Sequence, residues 1–91
     1  MNFEEELNVV IARIRKIRIE KGMSQLELAN IANFSQSFLA NVESGKKKPS
    51  VMTILRIADA LKVNPREFFP KTTSQTKEEI KDQIMDLIEQ L

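Results

Sequence analysis

Two side-chain amides, a hydroxyl and a run of three ammonium groups are the groups of this chain with the clearest chemistry to offer. Gln36, Ser37 and Asn41 lie within residues 24–44, SQLELANIANFSQSFLANVES, and Lys46, Lys47 and Lys48 follow almost at once. An amide presents a donor and an acceptor side by side, so Gln36 and Asn41 can each engage a partner in two hydrogen bonds, and the Ser37 hydroxyl can donate or accept one. Three adjacent lysines either keep a loop solvated or add salt-dependent, sequence-independent affinity for a polyanion. Covalent chemistry is not in view. The chain has no cysteine and no histidine, which removes disulfides, thiolate nucleophiles, the usual zinc ligand sets and imidazole acid–base catalysis. Its carboxylates scatter over helix surfaces, and phosphate, nucleotide and metal motifs are missing. Neither an enzyme nor a cofactor is expected.

Those polar groups need a scaffold that holds them outward. Ser24 followed by Glu27 is a capping box that opens one helix, with Leu28, Ala29 and Ile31 or Ala32 as its apolar side. Asn33 falls where that helix should stop, and asparagine tolerates a left-handed backbone better than most residues. Phe34 can plug the angle, and Ser35 can cap a second helix. In that second helix Leu39 and Val42, three apart, and Phe38 and Val42, four apart, can face the core together. Gln36, Ser37, Ala40, Asn41 and Ser44 then point outward, and Gly45 can end the helix.

The remaining chain reads as further helices. Asn2 with Glu5 opens one over about residues 3–20, with Phe3, Leu7, Val10 or Ile11, Ile14 and Ile17 at helical spacing. Glu4, Glu5 and Glu6 suit its first turn, and Gly22 ends it. Ser50 caps a fourth helix with Met52, Leu55, Ile57 or Ala58 and Leu61 inward and Thr53, Arg56 and Asp59 outward. Asn64, Pro65 and Glu67 open a short fifth helix, which Phe68 and Phe69 dock on the core and Pro70 ends. Residues 71–76, KTTSQT, form a polar linker. Over 77–91 a last helix repeats Ile80, Ile84, Leu87 and Leu91, widened by Met85 and Ile88. So short a helix is marginal alone in water, so its apolar face meets its twin in a homodimer or folds back on its own domain.

Charge is unevenly spread along the 91 residues. Residues 1–6 carry three acids, residues 7–71 carry twelve Lys/Arg against five acids, and residues 72–91 carry two lysines against five acids. A basic centre between acidic ends suits a polyanion-binding domain whose tails serve another purpose. No apolar run approaches a membrane span and the acidic first residues do not open a signal peptide, so no membrane partner and an intracellular location are expected. No second domain of useful size accompanies the first, so a built-in small-molecule sensor is not expected.

The ordered signals SQ..LA at Ser24, Gln25, Leu28 and Ala29, S at Ser35, E.GK at Glu43, Gly45 and Lys46, and PS at Pro49 and Ser50 resemble the phage-repressor family, the Xre or lambda-repressor-like regulators. The resemblance runs from about residue 9 to Pro70. It implies an all-α fold: a five-helix lambda-repressor-like helix-turn-helix domain over residues 1–70 with a slightly extended first helix. The linker 71–76 and the C-terminal amphipathic helix 77–91, as a dimerisation element through Ile80, Ile84, Leu87, Ile88 and Leu91, complete the chain. The implied function is a sequence-specific regulator of transcription, a repressor binding an inverted repeat in double-stranded DNA as a homodimer through the major groove. It would work in the cytoplasm, on the nucleoid when bound to DNA. The family pattern implies base reading by Gln36, Ser37 and Asn41, and backbone contacts by Gln25, Ser35, Ser44, Lys46, Lys47 and Lys48. It also implies an ion pair between Arg18 and Glu43; the rival is that Arg18 is a free surface charge. Arg13, Arg15 and Lys16 flank the DNA backbone or are solvated. Two positions depart from the family: Phe38 replaces a frequent threonine or tyrosine, as core or as a contact to a thymine methyl, and Asn33 replaces the usual glycine. The alternative function is an antitoxin or protein-interaction module that takes a partner protein through the C-terminal helix.

Overall fold

In the computed structural model, which describes residues 2–70, helices form wherever an oxygen-bearing cap precedes an apolar repeat. Helix α1 spans Phe3–Glu20, α2 Gln25–Ala32, α3 Gln36–Glu43 and α4 Val51–Leu61, and a 3₁₀ turn covers Pro65–Phe68. The linker and C-terminal helix expected over 71–91 lie outside the described residues. Every start is capped by a side chain. Asn2 Oδ1 accepts from the Glu4 and Glu5 amides at 3.1 and 3.2 Å. Ser24 Oγ accepts from Glu27 N at 3.0 Å while Ser24 N donates to Glu27 Oε1 at 3.4 Å, a complete capping box. Ser35 and Ser50 cap α3 and α4 through the Phe38 and Thr53 amides at 3.0 and 3.1 Å, and Asn64 Oδ1 accepts from Arg66 N at 2.9 Å.

Three of the helices end in the same way. Gly22, Asn33 and Lys62 have φ of 68°, 62° and 57°. After each, the next residue's amide reaches back to a carbonyl of the last turn: Met23 to Arg18, Phe34 to Ala29 and Val63 to Ala58, at 3.1, 2.8 and 3.0 Å. This is the Schellman arrangement, which normally carries an apolar residue just past the left-handed one. Met23, Phe34 and Val63 are those residues, and all three pack against the core. The chain direction after each helix is therefore set by a hydrogen bond and a hydrophobic contact together.

The core gathers one side of every element. Ile14, Leu28, Leu39, Ile57, Leu61 and Phe68 are fully buried, with Val10, Ala29, Ala32, Ile54, Ala58 and Ala60 around them. Helix α2 packs on α3 and α4, while α1 lies against α3, α4 and the 3₁₀ turn. No strand occurs among the described residues, and none of their helices is long and apolar enough to cross a membrane. The molecule is an all-α, helix-turn-helix-containing fold.

Several sequence expectations need correction. In α4 the inward set is Thr53, Ile54, Ile57, Ala58, Ala60 and Leu61, whereas Met52 and Leu55 are 64% and 46% exposed. That helix is apolar on two adjacent stripes, and contact with α2 and α1 selects the one through positions 54, 57, 58 and 61. Thr53 stays buried because Ser50 Oγ and its own Oγ1 share a 3.0 Å hydrogen bond. Arg56 turns inward to the end of α2 rather than outward to solvent. The fifth helix is a single 3₁₀ turn; four residues between Asn64 and Phe69 leave no room for an α-helical ladder. Phe68 alone docks it, and Phe69 stays exposed. At the other end, Phe3 is exposed because α1 begins two turns before its first buried residue, Val10.

Lys62 is a side-chain-bearing residue in a conformation that costs L-residues about 1–2 kcal/mol. Replacing it by glycine removes that cost and returns part of it as unfolded-state entropy. Lys62→Gly is expected to raise stability by about 0.5–1 kcal/mol, read as a higher urea midpoint at unchanged slope; a lower midpoint contradicts the strain.

Candidate nucleic-acid interface

The outward side of α3 is defined by what its inward side touches. Leu39 and Val42 are fully buried, which leaves Gln36, Ser37 and Asn41 on the exposed side. The three lie within little more than one turn, so their polar ends form a short row along an eight-residue helix. None of the three side chains is held in a hydrogen bond to another described residue: Ser35 supplies the cap of α3, and the polar contact at its far end is Ser44 Oγ donating to Asn41 O at 3.2 Å. Their donors and acceptors are free for an external partner.

A buried fork holds the far end of this helix. Arg18 Nε donates to Glu43 Oε2 at 2.9 Å and Arg18 Nη2 to Glu43 Oε1 at 2.9 Å, while Nη1 donates to Met23 O at 2.8 Å. Gln25 Nε2 also donates to Glu43 Oε1, at 3.3 Å. The two charged side chains are only 11% and 4% exposed. Four hydrogen bonds thus tie the end of α1, the loop after it, the start of α2 and the end of α3. Arg18 is not a free surface charge. Gln25, carried over as a backbone contact, has its amide nitrogen engaged here, and its residue is half-buried.

The three loop lysines stand in three different situations, although all are exposed. Lys46 makes no ion pair among the described residues. Lys47 N donates to Asn41 O at 3.0 Å, and its ammonium lies 5.3 Å from the centre of the Phe38 ring. Lys48 Nζ reaches Glu4 Oε1 at 3.4 Å, across to the acidic first turn of α1. Ser35 and Ser44 border the α3 row, each using its hydroxyl within the helix.

The structure also sorts the basic residues of α1. Arg13 Nε donates to Glu67 O at 2.7 Å, on the 3₁₀ turn. Lys16 pairs loosely with Glu20 at 3.9 Å. Arg15 lines a shallow cleft with Arg18, Gln25, Ala40, Glu43 and Ser44. It therefore joins the face that carries Gln25 and Ser44, a neighbourhood no local signal around residue 15 announces. Arg56, expected on the outward side of the fourth helix, instead reaches the end of α2. Its Nη2 donates to Ala32 O at 2.8 Å and Asn33 O at 3.2 Å, satisfying carbonyls at the negative end of α2. Phe38 is half-buried, with its ring 4.9 Å from that of Phe34.

Comparison with known proteins agrees with this geometry. A family model described as Helix-turn-helix matches residues 14–68. The chain is 33% identical over 69 residues to an uncharacterised HTH-type transcriptional regulator, YqaF, of Bacillus subtilis (strain 168), covering 76% of this chain and 91% of that one. It is 43% identical over 49 residues to the immunity repressor protein of Bacillus phage phi105, covering 54% of this chain and 34% of the repressor. Among solved structures it is similar to the restriction-modification controller protein C.AhdI from Aeromonas hydrophila. That match has a TM-score of 0.68 at 37% identity and covers 71% of this chain and 98% of the controller. Two eight-residue helices, α2 and α3, joined by a tight turn through left-handed Asn33, form a helix-turn-helix module. The chain belongs to the helix-turn-helix family of Xre type and is a DNA-binding transcriptional regulator.

Removing one partner of a buried ion pair strands the other. Arg18→Met is expected to cost about 3–5 kcal/mol in urea unfolding, and the double change Arg18→Met with Glu43→Leu much less than Glu43→Leu alone plus that loss. Additive costs would mean that the two side chains act independently.

Proposed function

We propose that the chain is a sequence-specific repressor that binds an inverted repeat in duplex DNA as a homodimer, each copy setting α3 into the major groove. The observation that carries this reading is the exposed, unengaged row of Gln36, Ser37 and Asn41 on a helix whose opposite side is fixed. A major groove admits one α-helix and displays a distinct donor and acceptor pattern for each base pair. Gln36 and Asn41 match adenine, and Ser37 accepts more than one base. Around them, Gln25, Ser35, Ser44, Lys46, Lys47 and Lys48 are assigned to the sugar–phosphate backbone, where contacts set register without reading sequence. The similarity to a phage immunity repressor supports repression rather than activation.

One such row spans too few base pairs to single out a site in a genome. A two-fold dimer doubles it, and an operator built as an inverted repeat mirrors that symmetry. On this reading the contact between copies is the stripe Ile80, Ile84, Leu87, Ile88 and Leu91, supported by its spacing of four, three, one and three residues.

Selection of binding sites from randomised duplexes, followed by titration over a range of salt, tests the recognition. A palindromic consensus is expected. Gln36→Ala is expected to lose about 1–3 kcal/mol of discrimination at the base pair it reads. Lys46→Ala is expected to weaken selected and random duplexes alike and to flatten the salt slope by about 0.9. Absence of preference among duplexes at moderate salt rejects the reading, and exchanged phenotypes reverse the two assignments.

Sedimentation of the full chain at micromolar concentration tests the assembly. A dimer is expected, converted to monomer by Leu87→Asp; a parent chain that sediments as a monomer rejects the homodimer.

A further inference from the structure

Four side chains, from α4, the turn, α3 and the loop after it, form a continuous stack beside the turn. The Arg56 guanidinium lies 4.4 Å from the centre of the Phe34 ring. Phe34 and Phe38 have ring centres 4.9 Å apart at an interplanar angle of 44°. The Lys47 ammonium lies 5.3 Å from the centre of the Phe38 ring. All three separations fall in the range where aromatic pairs and cation–π contacts are attractive. The stack is anchored at its inner end, because Arg56 Nη2 also donates to Ala32 O and Asn33 O. Its outer end is anchored too, since the Lys47 amide donates to Asn41 O. Lys47 is thus referenced to α3 twice, once through its backbone and once through its side chain. Lys48 instead reaches the first turn of α1 through Glu4.

We propose that Phe38 is a positioning residue for DNA binding. Its ring, braced by Phe34 and Arg56, holds the Lys47 ammonium in a fixed relation to the row of Gln36, Ser37 and Asn41. A lysine stem otherwise samples many rotamers, and ordering it on contact with DNA opposes binding. The ring does part of that ordering in advance. It occupies one side of the ammonium and leaves other N–H groups toward solvent, where a phosphate oxygen can accept them. Phe38 therefore acts on affinity through Lys47 and reads no base itself. The inference rests on the backbone role proposed for Lys47.

The test is a double-mutant cycle on the full chain, titrated with both a selected and a random duplex. Phe38→Leu is expected to weaken both duplexes by the same factor, about two- to fivefold. Lys47→Ala is expected to cost less in the Phe38→Leu background than in the parent, and Phe38→Tyr, which keeps an aromatic face, to restore parental affinity. A proton NMR spectrum of the parent without DNA supplies a readout independent of binding. The Lys47 side-chain methylenes are expected upfield from ring current, and to return to ordinary shifts in Phe38→Leu. Costs that simply multiply, or Lys47 methylenes at ordinary shifts in the parent, overturn the stack as a positioning device. A loss confined to the selected duplex overturns it in favour of direct base contact by Phe38. Should Lys47→Ala change neither affinity nor salt slope in the parent, the backbone role of Lys47 fails at that arm and the inference falls with it.

Discussion

The guanidinium of Arg18, on α1, meets the end of α3 and the loop before α2 through one planar group, and the placement of α3 depends on it. Glu43 sits at the C-terminal end of α3, where a negative charge opposes the helix dipole. Nothing local favours it there. It is held by two charge-assisted bonds from Arg18 and a third hydrogen bond from Gln25, and Arg18 itself stands in the last turn of α1, where a cation is favoured. The pair is nearly shut off from water. Buried charges of this kind contribute little to net stability compared with apolar replacements, but they tolerate only one geometry. The interaction fixes how the end of α3 sits against the end of α1 and the start of α2.

The other end of α3 is set by a different device. Asn33 carries the chain through a left-handed step, Phe34 seats itself on the core, and Arg56 reaches from α4 to close the carbonyl end of α2. With Ser35 capping the next residues, the turn leaves little backbone polarity unsatisfied. A short helix clamped at both ends presents its outward row with little freedom, so less ordering would remain for the groove contact proposed above.

Against that rigid row, the lysine loop is heterogeneous. One cation is unpaired among the described residues, one rests on an aromatic ring, and one leans toward the acidic start of α1. Equal charges in sequence thus become unequal in setting. On the proposed reading, backbone affinity in such a loop is a sum over phosphates neutralised, and the cations that are held contribute differently from the one that is loose. The acidic first turn of α1 tempers the same field, since the Lys48–Glu4 contact joins it to the basic centre.

Features governed by neighbours in sequence were legible without coordinates. Each helix start rests on a cap two or three residues from the amide it serves, so Asn2, Ser24, Ser35, Ser50 and Asn64 could be read directly. Asn33 as the turn residue and the outward placement of Gln36, Ser37 and Asn41 follow from the same short-range periodicity. The resemblance to repressor domains pointed to Arg18 and Glu43, which no local rule would have paired. What only the tertiary structure decided involves choices between locally equivalent options. Helix α4 has two adjacent apolar stripes, and only the surfaces of α2 and α1 select the one with Ile54 over the one with Met52 and Leu55. Lys62 takes a left-handed backbone because Val63 must reach the core, a reason located outside its own segment. Arg56 looks like a surface charge until α2 supplies carbonyls for it, and the three lysines look alike until Phe38 and Glu4 are brought beside them. Short-range hydrogen bonding is written into the order of residues, whereas the partner of a long side chain is settled by packing between segments far apart in the chain.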